Sequence, residues 1–276
     1  MASQQQVDLK NQLAKKANGT EPKKKKTVFD LINQMTPEIE KALPDFLRKN
    51  GGAERFTRIA LTQLRTNPAL LKCDPKSFLA ALMQSSQLGL EPGVLGQSYL
   101  IPYGKEVQFQ IGYKGFIELA RRSGQILSIT AHAVHENDEF EFQYGLEENL
   151  SHKPNIRGDR GEVYCYYAYA TLKDGGHAFV VMSKQDINRI RDTYSKAANT
   201  KYSPWNTEYD AMAKKTVIKQ LMKYLPISVE LLKNISQDET IKHEIKEDMT
   251  EVPSEDTEDS FVGTEWEVQE EQKEQE

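Results

Sequence analysis

The chain has 276 residues, of which 38% are hydrophobic and 28% are charged. The composition is typical of a globular protein, and the length allows one large domain or two small ones. The apolar runs are too short to span a bilayer and the first residues lack the apolar core of a secretory signal, so we expect no membrane segment. The two cysteines, Cys73 and Cys165, have no Cys or His neighbour at ligand spacing, which excludes a disulfide framework and favours a reducing compartment.

The net charge of −5 conceals an uneven distribution along the chain. Residues 236–276 contain 16 acidic and 3 basic side chains, a balance of −13. The preceding 235 residues therefore contain 25 acidic and 33 basic side chains, a balance of +8. A basic body predicts a polyanionic partner, and an acidic tail predicts a solvated interaction segment.

The first third of the chain is predicted to be helical after a polar beginning. Residues 1–26 end in Pro-Lys-Lys-Lys-Lys and indicate a flexible basic arm. Thr27, Thr36 and Asp74 are suitable helix caps, while Pro68 and Gly89 are typical helix stops. These signals predict helices within the segments 27–33, 36–52, 54–68 and 74–89.

The middle of the chain is predicted to be rich in strands. Residues 98–112 suggest a hairpin with its turn near Gly104, and residues 161–183 suggest a second hairpin turning at 174–176. Alternating segments lie between them, at 125–136 and 138–145. Helices are expected again at 183–197 and 205–226. Beyond Asn234 the apolar periodicity disappears, so we expect residues 236–276 to be a disordered acidic tail and residues 27–235 to form a single domain.

Motifs for enzyme chemistry find little support. The only Gly-Lys pair, Gly104-Lys105, is followed by Glu106, which does not fit a Walker phosphate loop, and no dinucleotide fingerprint opens a helix. An acidic cluster could be imagined as a two-metal nuclease site (His135, Glu136, Asp138, Glu139, Glu141). Its alternation with Phe140 and Phe142 instead fits the solvent side of a strand. We expect no catalytic site, no metal and no cofactor.

The segment VQFQIGYKGFIELARRSG, residues 107–124, changes from strand alternation to helical spacing near Gly112. On the predicted helix Lys114 and Arg121 are seven residues apart and share one stripe, with Arg122 beside it. Glu118 lies between them and could pair with either. The alternatives are a functional cation stripe and an ordinary solvated face with one ion pair.

A second basic region lies between residues 183 and 225, where nine basic residues outnumber four acidic ones. Lys215, Lys219 and Lys223 recur at i, i+4 and i+8 and are expected to form one stripe. The loop NTKYSPWN places Lys201 beside Tyr202 and Trp205. Aromatic rings next to cations suit contacts with single-stranded nucleic acid. The alternative is that Trp205 anchors the loop to the core and the lysines are merely solvated.

The ordered succession GLEP, then G-x-x-Y-L-I-P-Y, then Q-x-Q-I-G-Y-K-G resembles the RecT recombinases, the single-strand annealing proteins of phages and prophages. The later SPW segment and the helix AKKTVIKQLMKYLP are also similar to that family. The resemblance covers roughly residues 30 to 235.

The resemblance implies an α+β fold similar to the eukaryotic single-strand annealing mediators, with a curved antiparallel β-sheet of two hairpins packed with helices and DNA along a basic groove. It implies ATP-independent binding and annealing of single-stranded DNA, and homo-oligomeric rings or helical filaments. The implied partners are a RecE-type exonuclease and, as a further candidate, the host single-strand-binding protein. The implied location is the cytoplasm of a bacterial host. The alternative function is a general single-strand-binding or replication accessory protein that does not anneal.

In this setting the cations and aromatic residues of the two basic regions become candidates for contact with DNA. They are Lys105, Lys114, Arg121, Arg122, Arg189, Arg191, Lys196, Lys201, Tyr202, Trp205, Lys214, Lys215, Lys219 and Lys223.

Overall fold

The computed structural model describes residues 27–254 except 50, 94, 196–202 and 227–228. This part of the chain contains ten α-helices and seven strands, all of which pair antiparallel. The α+β class is thus confirmed. No helix within these ranges combines the length and the apolar character that a bilayer crossing requires.

The N-terminal part is helical, as predicted. Its elements are α1 (Val28–Gln34), α2 (Thr36–Ala42), α3 (Asp45–Arg48), α4 (Gly52–Thr66), a 3-10 helix (Pro68–Lys72) and α5 (Pro75–Leu88). The predicted helix over 36–52 is divided because Pro44 lacks an N–H donor and Leu43 before it adopts an extended conformation. Eleven of the 14 residues of α5 are buried, so this helix lies at the centre of the N-terminal part.

The remaining elements follow in chain order. They are β1 (Ser98–Tyr103), β2 (Glu106–Ile111), α6 (Tyr113–Arg122), β3 (Ile126–His135), β4 (Glu139–Gln143), β5 (Asn149–Lys153), β6 (Val163–Leu172), β7 (His177–Ser183), α7 (Lys184–Tyr194), α8 (Pro204–Thr207), α9 (Tyr209–Met222), α10 (Val229–Ile235) and a second 3-10 helix (Met249–Glu251).

The strands form three sheets: β1–β2, β3–β6–β7 and β4–β5. The two predicted hairpins are confirmed as β1–β2 and β6–β7. Strand β5 was not predicted, because its sequence NLSHK contains a single apolar residue. In the three-stranded sheet, Tyr166 and Ala168 face the main core and Tyr167 faces the other side. There Phe140 of β4 stacks on Tyr167 with ring centroids 5.4 Å apart, so the β4–β5 hairpin covers that face.

Residues 236–254, here called the C-terminal strap, pack against the body. The Phe109 amide donates to Thr240 O at 3.0 Å and the Glu239 amide donates to Phe109 O at 2.9 Å, which extends the free edge of β2. Ile241, Met249 and Val252 are buried in or against the core. The expectation that disorder begins at residue 236 is therefore wrong for the strap. Residues 1–26 and 255–276 lie outside the described ranges.

A buried ionic cluster holds the strap against α9. Lys215 Nζ lies 3.0 Å from Asp238 Oδ2 and 2.7 Å from Glu239 Oε1, and Lys219 Nζ lies 2.9 Å from Asp238 Oδ2. Lys215 is only 3% exposed and Lys219 only 9% exposed. The predicted surface stripe is thus incorrect for these two lysines, because α9 is covered by the strap on the face that bears them.

The family-like motifs form a tight corner between the loop before β1 and the start of α6. Gly112 N donates to Gln97 O at 2.9 Å. A Cβ atom on Gly112 would lie 2.2 Å from Gly96 O, and one on Gly115 would lie 2.1 Å from Gln97 O. These glycines are required because the two backbones touch.

The Glu91 side chain anchors the same loop. Glu91 N donates to Gln97 Oε1, and the Glu91 carboxylate pairs with Arg55 of α4 at 2.5 Å. The GLEP segment therefore has a structural role at this corner.

Removal of one carboxylate from the buried cluster tests the role of the strap. We expect Asp238→Ala to lower the free energy of unfolding by about 3–5 kcal/mol, because two buried ammonium groups each lose one of their carboxylate partners and the Ile111 amide loses its acceptor. The control is Glu244→Ala, an exposed strap position, with an expected change within about 0.5 kcal/mol. Urea denaturation measures both, and equal stability of the two variants would contradict the cluster's importance.

The same cluster predicts acid sensitivity. Burial alone would raise the pKa of the Glu239 carboxyl, but Lys215 and Lys219 outweigh it and lower the pKa from 4.5 to about 2. A carboxyl with a lowered folded-state pKa stabilises the fold above its unfolded value, and this stability is lost as the pH falls through the folded value. Unfolding free energy should therefore fall between about pH 4.5 and pH 2, and less steeply in Glu239→Gln. An equally steep fall in that variant would refute the assignment.

The glycine corner is tested by Gly115→Ala. The new methyl group would collide with Gln97 O, so we expect a loss of about 1–3 kcal/mol in spite of the better helix propensity of alanine. At Gly158, where the nearest atom would be 3.5 Å away, the same substitution should be neutral or slightly stabilising. Thermal unfolding of the two variants measures the difference, and a neutral Gly115→Ala would show that the corner relaxes easily.

Candidate nucleic-acid interface

Helix α6 presents an open cationic face. Lys114 and Arg121 are both exposed, and seven residues of helix separate them by roughly 10 Å along the axis. Within the described ranges neither cation has an acidic side chain at ion-pair distance. Glu118, which the sequence placed between them, pairs with Arg122 at 3.0 Å. The solvated-pair alternative therefore applies to Arg122 and leaves Lys114 and Arg121 available to an external anion.

Tyr99 lies next to Lys114. A Cβ atom on Gly96 would be 3.2 Å from the Tyr99 hydroxyl oxygen and 3.5 Å from Lys114 Cδ, so the Tyr99 hydroxyl and the lysine stem both lie beside this glycine. Residue Tyr99 is 39% exposed. Partial burial is the main cause that raises the pKa of the Tyr99 hydroxyl, and the negative charge of Glu208 adds to it. The hydroxyl therefore stays protonated and can donate a hydrogen bond. We call Tyr99, Lys114 and Arg121 the α6 surface.

Tyr99 was not among the predicted contact residues. The available signal was the tyrosine of G-x-x-Y, which directly precedes the apolar part of β1. Residues Gly112 and Gly115 hold the loop against α6 and so fix the position of both Tyr99 and Lys114. The motif thus builds the corner, and the corner places Tyr99 and the stem of Lys114 beside the same glycine.

Arg122 has a different role from Arg121. Its guanidinium donates to Leu88 O and Gly89 O at the end of α5 and lies 4.7 Å from the centre of the Phe46 ring. These contacts satisfy carbonyl groups that the helix end leaves without partners. The structure gives Arg122 a capping role, and its contact with DNA stays a prediction.

Trp205 belongs to the protein core. It is 7% exposed, and its ring meets Tyr209 edge-on with centroids 5.8 Å apart. The Tyr209 hydroxyl in turn donates to Asn188 Oδ1 of α7 at 2.8 Å. Of the two interpretations, the burial of Trp205 agrees with a core role, and the indole is not accessible to stacking bases.

The cations of α7 and of the start of α9 all have acidic partners. Arg189 pairs with Asp186 at 2.9 Å, and Arg191 pairs with Asp192 at 2.8 Å. Lys214 pairs with Asp210 at 2.5 Å. These three cations remain at the surface, but each is partly neutralised, so they attract phosphate less strongly than the cations of the α6 surface.

The other predicted residues are dispersed. Lys105 is exposed in the β1–β2 turn. It lies about 20 Å, along β2, from the end of the hairpin that precedes Lys114. Lys223 is exposed just after α9. Lys196, Lys201 and Tyr202 lie outside the described residues, and their segment starts after Ser195 and ends at Ser203, the cap of α8.

The acidic cluster considered for metals is organised around Asp138. Its carboxylate accepts from Arg160 at 3.0 and 2.6 Å, from the His135 amide at 2.9 Å, and lies 3.1 Å from His152 Nε2. The Arg160 guanidinium, opposed in part by burial, holds the pKa of Asp138 well below its usual range. This arrangement ties together the loops around the β4–β5 hairpin. In the described part of the chain no group of three or more potential ligands is placed to hold a metal ion.

Comparison with known proteins agrees with the motif architecture. The model of the RecT family matches residues 54–253, which includes the glycine corner, α9 and nearly all of the strap. The chain is 48% identical over 225 residues to Protein RecT of Escherichia coli (strain K12), covering 78% of this chain and 81% of that protein. It is also 34% identical over 208 residues to the uncharacterized protein YqaK of Bacillus subtilis (strain 168), covering 74% and 70% of the two chains. The chain therefore belongs to the RecT family.

Proposed function

We propose that this protein binds single-stranded DNA along the α6 surface and anneals complementary strands without ATP in phage-type homologous recombination. Membership of the RecT family supports a recombination protein of the annealing type. The observation that carries the binding site is the exposed placement of Lys114 and Tyr99 by the motif glycines. Arg121 extends the same face.

The chemistry of the α6 surface suits a single strand. Ammonium and guanidinium groups contact phosphates without regard to sequence, and a half-exposed tyrosine ring can stack on a base. Annealing is downhill, because each base-pair step contributes about 1.4 kcal/mol of stacking. The protein therefore needs only to reduce phosphate repulsion and keep the bases exposed, and no phosphate loop for ATP is required.

The proposal extends to assembly. The α6 surface of one subunit is roughly 10 Å long and spans few phosphates, so a continuous path along DNA requires neighbouring subunits. Rings or helical filaments would provide that path. A RecE-type exonuclease would supply single strands by resecting duplex ends, and the host single-strand-binding protein is a further candidate partner.

The proposal is tested by mixing two complementary fluorescent oligonucleotides with the purified protein in the absence of ATP. We expect pairing to be accelerated, and single-strand affinity to fall steeply from low to moderate salt as counterions are released. Non-complementary oligonucleotides are the control. An ATP requirement would refute the mechanism. Tight binding without faster pairing would instead indicate the accessory-protein alternative.

The site is tested by Lys114→Gln, with Arg157→Gln as the matched control on an exposed cation in the loop after β5. Loss of one phosphate contact should weaken binding on the order of fivefold at low salt and reduce the slope of log K against log salt by about 0.7. Arg157→Gln should leave both quantities unchanged. Fluorescence anisotropy with one labelled oligonucleotide measures them, and indistinguishable variants would exclude Lys114 as a phosphate contact.

A further inference from the structure

We infer that residues 255–276 of this chain occupy the α6 surface in the absence of DNA and compete with phosphates for Lys114 and Arg121. This inference rests on the proposed function, since it concerns the regulation of the same surface. It is carried by three observations: where the strap ends, which charges follow it, and which cations lie nearby.

The last part of the strap is anchored to the end of α5. Met249 N donates to Gln87 Oε1 at 2.7 Å, and Gln87 Nε2 donates to Asp248 Oδ1 at 2.8 Å. Gln87 lies in the last turn of α5, two residues before Gly89, whose carbonyl accepts from Arg122. The strap is therefore held, five residues before its last described residue, at the end of α5 that Arg122 of α6 caps.

The segment that follows is complementary in charge. Residues 255–276 contain ten acidic side chains and one lysine, a balance of −9. Lys233 of α10 lies close enough to Asp248 to lower the pKa of that carboxyl, after the larger contributions of the Thr250 and Gln87 side chains. Exposed cations are therefore found both beside the strap, at Lys233, and along α6.

The available length does not limit this contact. Twenty-two extended residues reach roughly 70 Å, whereas the ten residues of α6 measure about 15 Å. A tethered segment acts at a high effective concentration, so individually weak ion pairs can compete with an external strand. Such pairs are exposed and screened by salt, which predicts that competition weakens as ionic strength rises.

The strap and the following segment differ in how they use acidic residues. In the strap, Asp238 and Glu239 are committed to Lys215 and Lys219 and contribute to the fold. The two buried lysines of α9 are therefore already paired and are not available to the acidic residues that follow Ser254. The open cations of the α6 surface lie on the helix whose Arg122 caps the end of α5, where the strap is anchored.

The experiment compares the intact chain with a form that ends at Ser254 and so retains every described residue. Anisotropy titrations with one fluorescent single strand are made at low and moderate salt. We expect the shortened form to bind about fivefold more tightly at low salt, with the gain shrinking at moderate salt. The gain should disappear in the Lys114→Gln, Arg121→Gln background, since the tail would have lost its target.

Two full-length variants separate charge from other properties of the segment. Replacement of its ten acidic residues by the corresponding amides should reproduce the gain, whereas Phe261→Ala with Trp266→Ala should bind like the intact chain. Equal or weaker binding by the shortened form, or a gain that survives in the double glutamine background, would overturn the inference while leaving DNA binding intact. Failure of every form to bind single strands would overturn the proposed function as well.

Discussion

The buried ionic cluster of Lys215, Lys219, Asp238 and Glu239 is the interaction on which the rest of this structure depends. It joins α9 to the strap, and both ammonium groups also lie 5.9 Å from the centre of the Phe116 ring of α6. Charges withdrawn from water are costly unless every partner is present, so the four groups enforce one arrangement of the three segments. Because the Ile111 amide also donates to Asp238, β2 is included in the same arrangement.

This constraint explains why the α6 surface can be small and still well positioned. Helix α6 is held at three places. The cluster contacts it at Phe116, Gln97 contacts its start at Gly115, and Arg122 joins its end to α5. The only cations of the helix that take no part in these contacts are Lys114 and Arg121, as far as the described residues extend. Among the described residues, several cations thus support the fold or pair locally, and we assign the proposed function to two cations of α6 that the architecture leaves open.

Several site predictions failed for one physical reason. The lysines of α9 were expected at the surface because positive charges spaced four apart usually mark a solvated stripe, and the strap was expected to be disordered because it lacks apolar periodicity. Each interpretation overlooked the other segment. Two acidic residues that follow α10 neutralise two lysines of α9 some 20 positions earlier, and neither pattern shows this pairing when considered alone. Trp205 is similar, since proximity to cations in sequence did not indicate the contact with Tyr209.

The sequence by itself determined the helical first third, the two principal hairpins, the α+β class and the family, because capping residues, strand alternation and an ordered motif are local signals. It also located Lys114 and Arg121 on one helical face, since helical periodicity is a local property. Only the tertiary structure decided that Arg122 caps α5, that Lys215 and Lys219 are buried, and that residues 236–254 belong to the fold. Those outcomes depend on which distant groups meet, and the free energy of a buried charge is determined by its partners in space.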